Sequence, residues 1–302
     1  MKIIPAEVPP LADNVDQAAP GEIADLLRFA PGNRFAAVDP SATPGFSGGK
    51  ADGKIAQAFD SAVLADLQER LFANAAVNGL HNAVLLVIQG RDSAGKGGLV
   101  KHVVSALSPH GVEVAAFGVP TAEEAAHHFL WRVYKRLPRW GNIAVFDRSH
   151  YEDILATRMH DLAPESVWKD RYDVINEFEE GLHESGIRIV KIMLTISPEE
   201  QAERLRDRLV RIDKQWKHSA SDLDDRALWD EYTTAFQDVL DRTSRAGAPW
   251  FVVPADRKWY SRWAVTRILI HELEQLDLEW PRGNFDPAAE LARLEAGGPQ
   301  GS

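Results

Sequence analysis

Residues 90–96, with the sequence GRDSAGK, combine glycines, small side chains and a lysine in the spacing of a phosphate-binding P-loop. In such a loop successive backbone N–H groups converge on an anion, and the dipole of the following helix adds partial positive charge. Lys96 would add a full positive charge. The motif normally continues with Ser or Thr, whose hydroxyl binds Mg²⁺, but this chain has Gly97. The sequence therefore predicts a phosphate site whose metal is held by other residues.

Two aspartates are candidates for the missing metal ligand. Asp147 ends the apolar run 143–146 and is followed by Arg148, a pattern typical of the Mg²⁺-binding acid of nucleotide kinases. An aspartate that only caps a helix is the alternative. Asp92 lies inside the loop, where its charge would repel phosphate unless a metal or a cation neutralised it; an Asx turn that stabilises the loop is the other interpretation. We predict that Asp92 and Asp147 together bind the metal.

A basic segment follows later in the chain, although the formal net charge is −11 at pH 7. Its six cations are Arg204, Arg206, Arg208, Arg211, Lys214 and Lys217. Such a run usually forms a solvated helix face whose charges pair with nearby acids. In phosphoryl kinases, however, a mobile lid brings cations onto the transferring phosphoryl group and excludes water. We therefore predict that residues 199–222 form a lid over the phosphate site.

The surrounding sequence alternates between aliphatic runs of strand length and segments with helical periodicity. Predicted strands cover residues 83–88, 112–117, 142–147, 187–196 and 250–253. Predicted helices cover residues 21–29, 54–76, 95–107, 120–137, 151–160, 164–184 and 259–276, with 199–244 helical in two pieces that break around 212–222. This alternation indicates a parallel sheet covered on both faces, with ligands at the carboxyl ends of the strands. The predicted fold class is α/β, a P-loop kinase-like three-layer α/β/α domain with a parallel sheet and a helical lid.

The composition excludes several classes of protein. Hydrophobic residues make up 45% and charged residues 26% of the 302 residues, as in soluble globular proteins. No apolar run approaches the roughly 20 residues that a transmembrane helix needs, and residues 1–10 lack the apolar core of a secretory signal. The chain has no Cys, which excludes disulfides, zinc–thiolate sites and thiol catalysis. Its negative net charge argues against nucleic-acid or membrane partners, and we expect a cytoplasmic protein.

Several longer motifs together resemble the polyphosphate kinase 2 family. They are GRDSAGKGG, VPTAEE, HHFLWR, AVFDRSHYEDIL, DKQWKHSASDLDDRALWDEY and APWFVVPADRKW, in the family's order. The segment TPGFSGGK and the pairing of FLWR with SHYED most resemble the branch that acts on nucleoside mono- and diphosphates. The resemblance implies reversible phosphoryl transfer between inorganic polyphosphate and a nucleotide, with AMP or ADP giving ADP or ATP. It also implies that Mg²⁺ is required, with Mn²⁺ as an alternative ion.

The resemblance assigns roles to individual positions. Residues that match the family's catalytic residues are Asp92, Lys96, Asp147, Arg148 and Arg208. Residues expected to bind phosphate or polyphosphate are Gly90, Arg91, Ser93, Ala94, Gly95, Gly97, Arg132, Arg211, Lys214 and Lys217. No covalent enzyme intermediate is needed for such a transfer.

The chain is thus predicted to comprise an N-terminal arm (residues 1–53), a kinase domain (54–280) with its lid, and a polar C-terminal tail (281–302). Expected partners are polyphosphate and AMP, ADP or ATP, with guanine nucleotides as further candidates, and a homodimer or homotetramer is expected. Two other functions stay open at this point. One is an ATP-dependent kinase of a nucleotide or small metabolite, and the other is a non-catalytic protein that binds phosphate as a regulator.

Overall fold

A parallel sheet forms the centre of the protein. The computed structural model describes residues 8–12 and 14–297; residues 1–7, 13 and 298–302, which belong to the predicted arm and tail, lie outside this description. The strands are β1 (Ala83–Gly90), β2 (Val112–Ala116), β3 (Ile143–Asp147), β4 (Ile187–Thr195) and β5 (Trp250–Pro254). All pairings are parallel, in the order β2-β3-β1-β4-β5. The parallel sheet confirms the predicted fold class.

Thirteen α-helices and two short 3₁₀ helices, Phe35–Ala37 and Pro109–Gly111, surround the sheet within the described ranges. The first helices are α1 (Pro20–Leu27), α2 (Lys50–Asn78), α3 (Lys96–Val104), α4 (Ala122–Ala125), α5 (Trp131–Tyr134), α6 (Glu152–Met159) and α7 (Glu165–Glu184). The remaining helices are α8 (Pro198–Val210), α9 (Ile212–Gln215), α10 (Ser221–Ala227), α11 (Trp229–Thr243), α12 (Lys258–Glu274) and α13 (Pro287–Ala296). No helix in these ranges has the length and apolar character needed to cross a bilayer.

The core has two layers because alternate residues of each buried strand face opposite sides of the sheet. On one side, Val84, Leu86 and Ile88 of β1 pack in a cluster with residues of α1, α2, α3 and α12. On the other side, Leu85 and Val87 pack with residues of α6, α7 and α11. The predicted arm takes part in this core, since α1 buries its apolar face and the long helix α2 begins at Lys50 rather than at residue 54.

Three predicted segments differ from the observed ones. The predicted helix 120–137 is two four-residue helices, α4 and α5. Between them the ring Nδ1 of His128 accepts a hydrogen bond from the backbone of Leu130 (3.3 Å), which competes with the helical pattern. Residues 199–244 form four helices instead of two, because the backbone is extended at Arg211, is not helical over residues 216–220 and leaves the helical region again at Leu228. The predicted tail contains α13, which the Asp286 side chain caps at its N-terminus.

Candidate active site

The loop between β1 and α3 has the backbone shape of a phosphate cradle. Gly90 has φ +146°, and a Cβ there would lie 2.8 Å from the carbonyl oxygen of Leu194, so only glycine fits. Gly95 has φ +115°, directly before α3 begins at Lys96. Ser93 also has a positive φ (+65°), and its buried Oγ has no hydrogen-bond partner among the described residues. A strained backbone with an unsatisfied donor is what a loop built around an anion requires.

Lys96 is buried under this loop. Its Nζ donates to the carbonyl oxygens of Gly90 (2.7 Å) and Arg91 (3.0 Å) and lies 3.7 Å from Oδ1 of Asp92. Burial lowers the pKa of Lys96, and the negative charge of Asp92 opposes that shift. The two hydrogen bonds to carbonyl oxygens hold the ammonium group in place.

Two cations neutralise the negative charge of Asp92, which would otherwise repel a bound phosphate. Nη2 of Arg148 lies 2.5 Å from Oδ1 of Asp92, the same oxygen that Lys96 approaches. Burial would raise the pKa of Asp92, but the charges of Lys96 and Arg148 outweigh it and hold the pKa below the ordinary value. Arg148 itself has φ +63°, an uncommon conformation for a residue with a side chain. The turn after β3 is thus strained to bring its guanidinium onto Asp92.

Asp147 and Gly97 face each other across the entrance of the site. A Cβ on Gly97 would lie 3.5 Å from Oδ2 of Asp147, and both residues line the same cleft. The carboxylate of Asp147 therefore adjoins the position that the side chain of Ser or Thr would occupy in the usual motif. Within residues 8–12 and 14–297 no three acidic or histidine side chains form a ready-made metal cage. This donor set fits Mg²⁺, which commonly binds through one or two carboxylates and takes its other ligands from phosphates and water.

Glu152 belongs to the site, although the sequence interpretation did not include it. Its Oε2 lies 3.4 Å from Nη1 of Arg148, and with the Gln89 amide turned to satisfy its neighbours, that amide donates to Oε1 (3.0 Å). Burial raises the pKa of Glu152, and Arg148 and Lys96 oppose that shift. No clear signal for it was present in the sequence, because Arg148 and Glu152 are joined by a turn in which Arg148 has φ +63° and not by a helical turn.

A cleft of about 1140 Å³ opens in front of the loop, between the ends of the strands and the lid. Its lining includes Lys96, Asp147, Arg148, Arg132, Arg208, Lys214 and Lys217. Arg208 pairs with the buried Asp222 (2.8 Å), and Lys214 pairs with Asp207 (2.5 Å). The end of α8 and the segment 212–217 thus present cations to the cleft.

Three predicted phosphate-binding arginines have other partners. Arg211 is half exposed, pairs with Asp213 (2.8 Å) and is not among the residues that line the cleft. Arg91 packs over the ring of Trp229 (3.9 Å to the centroid) and donates to its carbonyl oxygen (2.9 Å). Its burial lowers the pKa of the guanidinium to about 10. Arg132 reaches the cleft but donates to the carbonyl oxygen of Gly118 (2.8 Å) and to Asp153 (3.1 Å).

Comparison with known proteins finds one matching family model and several similar proteins. The family model described as polyphosphate kinase 2 matches residues 53–281. The AMP/ADP-polyphosphate phosphotransferase of Meiothermus ruber is 43% identical over 257 residues, which cover 84% of this chain and 94% of that protein. The ADP-polyphosphate phosphotransferase of Rhodopseudomonas palustris is 40% identical over 243 residues, covering 76% of this chain and 82% of that protein.

A solved structure is also similar over nearly the whole chain. The crystal structure of polyphosphate kinase 2 from Arthrobacter aurescens TC1 has a TM-score of 0.89 and 47% identity, and the match covers 93% of this chain and 98% of that one. The resemblance inferred from the motifs is thereby confirmed. The chain belongs to the polyphosphate kinase 2 family.

Proposed function

We propose that this protein transfers phosphoryl groups between inorganic polyphosphate and a nucleotide, with AMP and ADP as acceptors. The observation that carries the proposal is the joining of Lys96, Asp92 and Arg148 at the head of a large cleft bordered by lid cations. A cleft of this volume has room for two phosphate-bearing substrates end to end. The relative from Meiothermus ruber, whose name includes both AMP and ADP, supports the choice of acceptors.

In the proposed reaction one bridging P–O bond of polyphosphate breaks and a new P–O bond forms to a terminal phosphate oxygen of the acceptor. The electron pair of the broken bond stays on the shortened polyphosphate. Such transfers need positioning and charge stabilisation rather than covalent catalysis. Lys96 and the N–H groups of the loop bind one phosphate, and Arg148 and Arg208 neutralise charge on the group in transit. In the proposed complex, the phosphoryl group replaces Asp92 as the partner of Arg148 and Asp222 as the partner of Arg208.

We further propose that Asp147 and Asp92 hold Mg²⁺, with Mn²⁺ as a substitute. The fit of Asp147 to the space beside Gly97 supports this assignment. When bound, the ion would neutralise negative charge on the phosphates. Asp92 would then exchange part of its pairing with Arg148 for the ion, leaving that guanidinium available to phosphate.

A phosphoryl-transfer assay tests the proposed function. Purified protein is mixed with MgCl₂, polyphosphate and either AMP or ADP, and the products ADP and ATP are quantified by chromatography. We expect product from both acceptors, and none when EDTA replaces MgCl₂. Turnover with ATP as donor but none with polyphosphate would instead indicate an ATP-dependent kinase. Binding of polyphosphate without any turnover would indicate a regulator.

Four finer features remain proposals: a homodimer or homotetramer, a cytoplasmic location, guanine nucleotides as further substrates, and a role along the bound polyphosphate for Lys214 and Lys217, which line the cleft. Light scattering after size-exclusion chromatography measures the assembly. The same phosphoryl-transfer assay with GMP and GDP as acceptors tests the base preference. A monomer in solution, or no product from either guanine nucleotide, would contradict the corresponding proposal.

A further inference from the structure

We infer that Gln201 and Arg204 of α8 are positioning residues that hold the phosphate loop in its binding shape, and that the moving part of the lid begins only after them. The inference rests on the proposed role of residues 90–96 as a phosphate site. It concerns the carbonyl oxygens of that loop, which the proposed mechanism does not use. We call Gln201 and Arg204 the carbonyl clamp.

The need for a clamp follows from the geometry of any phosphate loop. Successive N–H groups must face the anion, so the carbonyl oxygens of the same peptide planes are turned to the other side. Those oxygens are buried in the protein and need hydrogen-bond donors of their own. A peptide plane without such a donor would lower its free energy by rotating. That rotation would point a carbonyl oxygen at the phosphate.

The donors for these carbonyl oxygens are side chains. Nη1 of Arg204 donates to the carbonyl oxygens of Ser93 (3.0 Å) and Ala94 (2.8 Å). Nε2 of Gln201 donates to the carbonyl oxygen of Asp92 (2.9 Å). Because Lys96 donates to the carbonyl oxygens of residues 90 and 91, every carbonyl oxygen of residues 90–94 receives a side-chain donor. The plane after Ser93, whose φ is positive, is one of those that Arg204 fixes.

Both clamp residues are themselves fixed in place. Nη2 of Arg204 donates to the carbonyl oxygens of Ala255 (2.6 Å) and Asp256 (2.9 Å), in the turn between β5 and α12. Its Nε donates to Glu200 (2.6 Å), and only 7% of the residue is exposed. Gln201 is 2% exposed, and its Oε1 accepts from Arg226 (2.7 Å). A guanidinium with five donors in a rigid fork suits such a junction better than an ammonium does.

The clamp divides α8 into two parts. Its first turns, up to Arg204, are joined to the loop and to the turn after β5 and therefore move with the sheet. Beyond that point, among the residues that the structure describes, the cations Arg208, Lys214 and Arg211 pair with acids of the lid itself. On this inference the segment that closes over substrate begins after Arg204.

Substitution of the clamp tests the inference through phosphate binding rather than turnover alone. The probe is tripolyphosphate with Mg²⁺, and its Kd is measured by isothermal titration calorimetry on variants that keep the wild-type circular dichroism spectrum. We expect Arg204→Ala to raise Kd at least tenfold and Gln201→Met, which keeps the volume but loses the donor, to raise it about threefold. Arg204→Lys should fall between wild type and Arg204→Ala, since one ammonium cannot reach four carbonyl oxygens. Lys169→Ala, which removes an exposed cation of α7 outside the cleft lining, is the control and should leave Kd unchanged.

Hydrogen exchange with mass spectrometry supplies a second readout. Tripolyphosphate should slow exchange in residues 209–222 and leave residues 198–205 unchanged in wild type, whereas Arg204→Ala should speed exchange in residues 91–96 without ligand. A folded Arg204→Ala or Gln201→Met variant with wild-type Kd and loop exchange would overturn the inference while leaving the proposed function intact. If Arg204→Ala does not fold, Gln201→Met decides. Wild-type protein that binds tripolyphosphate but gives no nucleotide product would instead overturn the proposed function alone.

Discussion

Two clusters of buried charged residues meet at the turn after β3 and differ in their exposure to solvent. The site cluster consists of Asp92, Lys96, Arg148 and Glu152, at the carboxyl ends of β1 and β3. The core cluster consists of His150, Tyr151, Glu179 and Lys191, between the sheet and α7. The turn after β3 contributes to both, since Arg148 belongs to the first cluster and the residues two and three positions later belong to the second.

The core cluster is closed. Nζ of Lys191 donates to Glu179 (2.6 Å), to the hydroxyl of Tyr151 (3.0 Å) and to the carbonyl oxygen of Thr243 (2.7 Å), which uses all three of its donors. Glu179 also accepts from Tyr151 (2.8 Å), and Nε2 of His150 lies 3.1 Å away. Burial would raise the pKa of Glu179, but Lys191 and His150 outweigh it and lower the pKa. No exposed face remains on Lys191 or His150 for a ligand.

The site cluster is open by contrast. Its arginine is 37% exposed along the side chain, and all four of its members line the cleft. The comparison teaches that burial of charge does not by itself mark a functional site. A cluster with exposed donors that face a cleft is available to a substrate, whereas a cluster without an exposed face holds elements together. Four predictions test this distinction.

Removing Lys96 should have the largest effect. Lys96→Ala deletes the full positive charge under the phosphate, so we expect kcat to fall by about 10³-fold, the size of effect seen when a preorganised stabilising donor is lost. The melting temperature should change little, because Arg148 still neutralises Asp92. Steady-state kinetics with polyphosphate and ADP measure the effect. Lys101→Ala, an exposed lysine on the same helix, is the control and should keep wild-type kinetics.

Breaking the core cluster should act on stability instead. Glu179→Gln leaves the buried Lys191 without its charged partner, so we expect the free energy of unfolding to fall by about 3–5 kcal/mol. Urea denaturation followed by fluorescence measures it, and kcat per folded molecule should stay within about threefold of wild type. Replacing the pair together, as Glu179→Leu with Lys191→Met, should recover most of the stability. Loss of kcat without loss of stability would show that the core cluster is functional.

The two clusters also show how far sequence reasoning reaches. The loop, Lys96 and Asp147 could be predicted, because a glycine-bounded motif and a strand-end acid are local patterns. Glu152 and the core cluster were not predicted. Lys191 lies within an otherwise aliphatic strand, and its partners Glu179 and Thr243 belong to two different helices. Arg204 and Arg208 belong to one basic run and look alike in sequence. Only the position of α8 against the loop determines that the first holds the backbone and the second faces the cleft.

Acid titration should separate Asp92 from an ordinary exposed aspartate. Its pKa is depressed in the folded state, so its charge stabilises the fold above the unfolded-state value of 3.8, and this contribution is lost as pH falls through the folded-state pKa. At pH 7 we expect Asp92→Asn to lower the free energy of unfolding by about 1.5–3 kcal/mol, the range for hydrogen bonds to charged groups. The difference from wild type should be constant above about pH 5 and shrink below about pH 4. A difference that persists unchanged at pH 3 would show that charge is not its cause.

The smallest effects should come from the outer cations of the lid, which differ from one another by the acid each one faces. Arg208 pairs with the buried Asp222, whereas Arg211 pairs with the exposed Asp213 and lies outside the cleft lining. Because Arg211 lies outside the cleft lining and its ion pair is exposed, Arg211→Ala should change KM for polyphosphate by about threefold or less and leave stability unaltered. Arg208→Ala, measured in parallel, should lower kcat by at least tenfold, because its guanidinium reaches the cleft from the end of α8. Equal losses in the two variants would mean that polyphosphate extends along the outer face of the lid, beyond the cleft, and that the exposure of Arg211 is itself part of the binding surface.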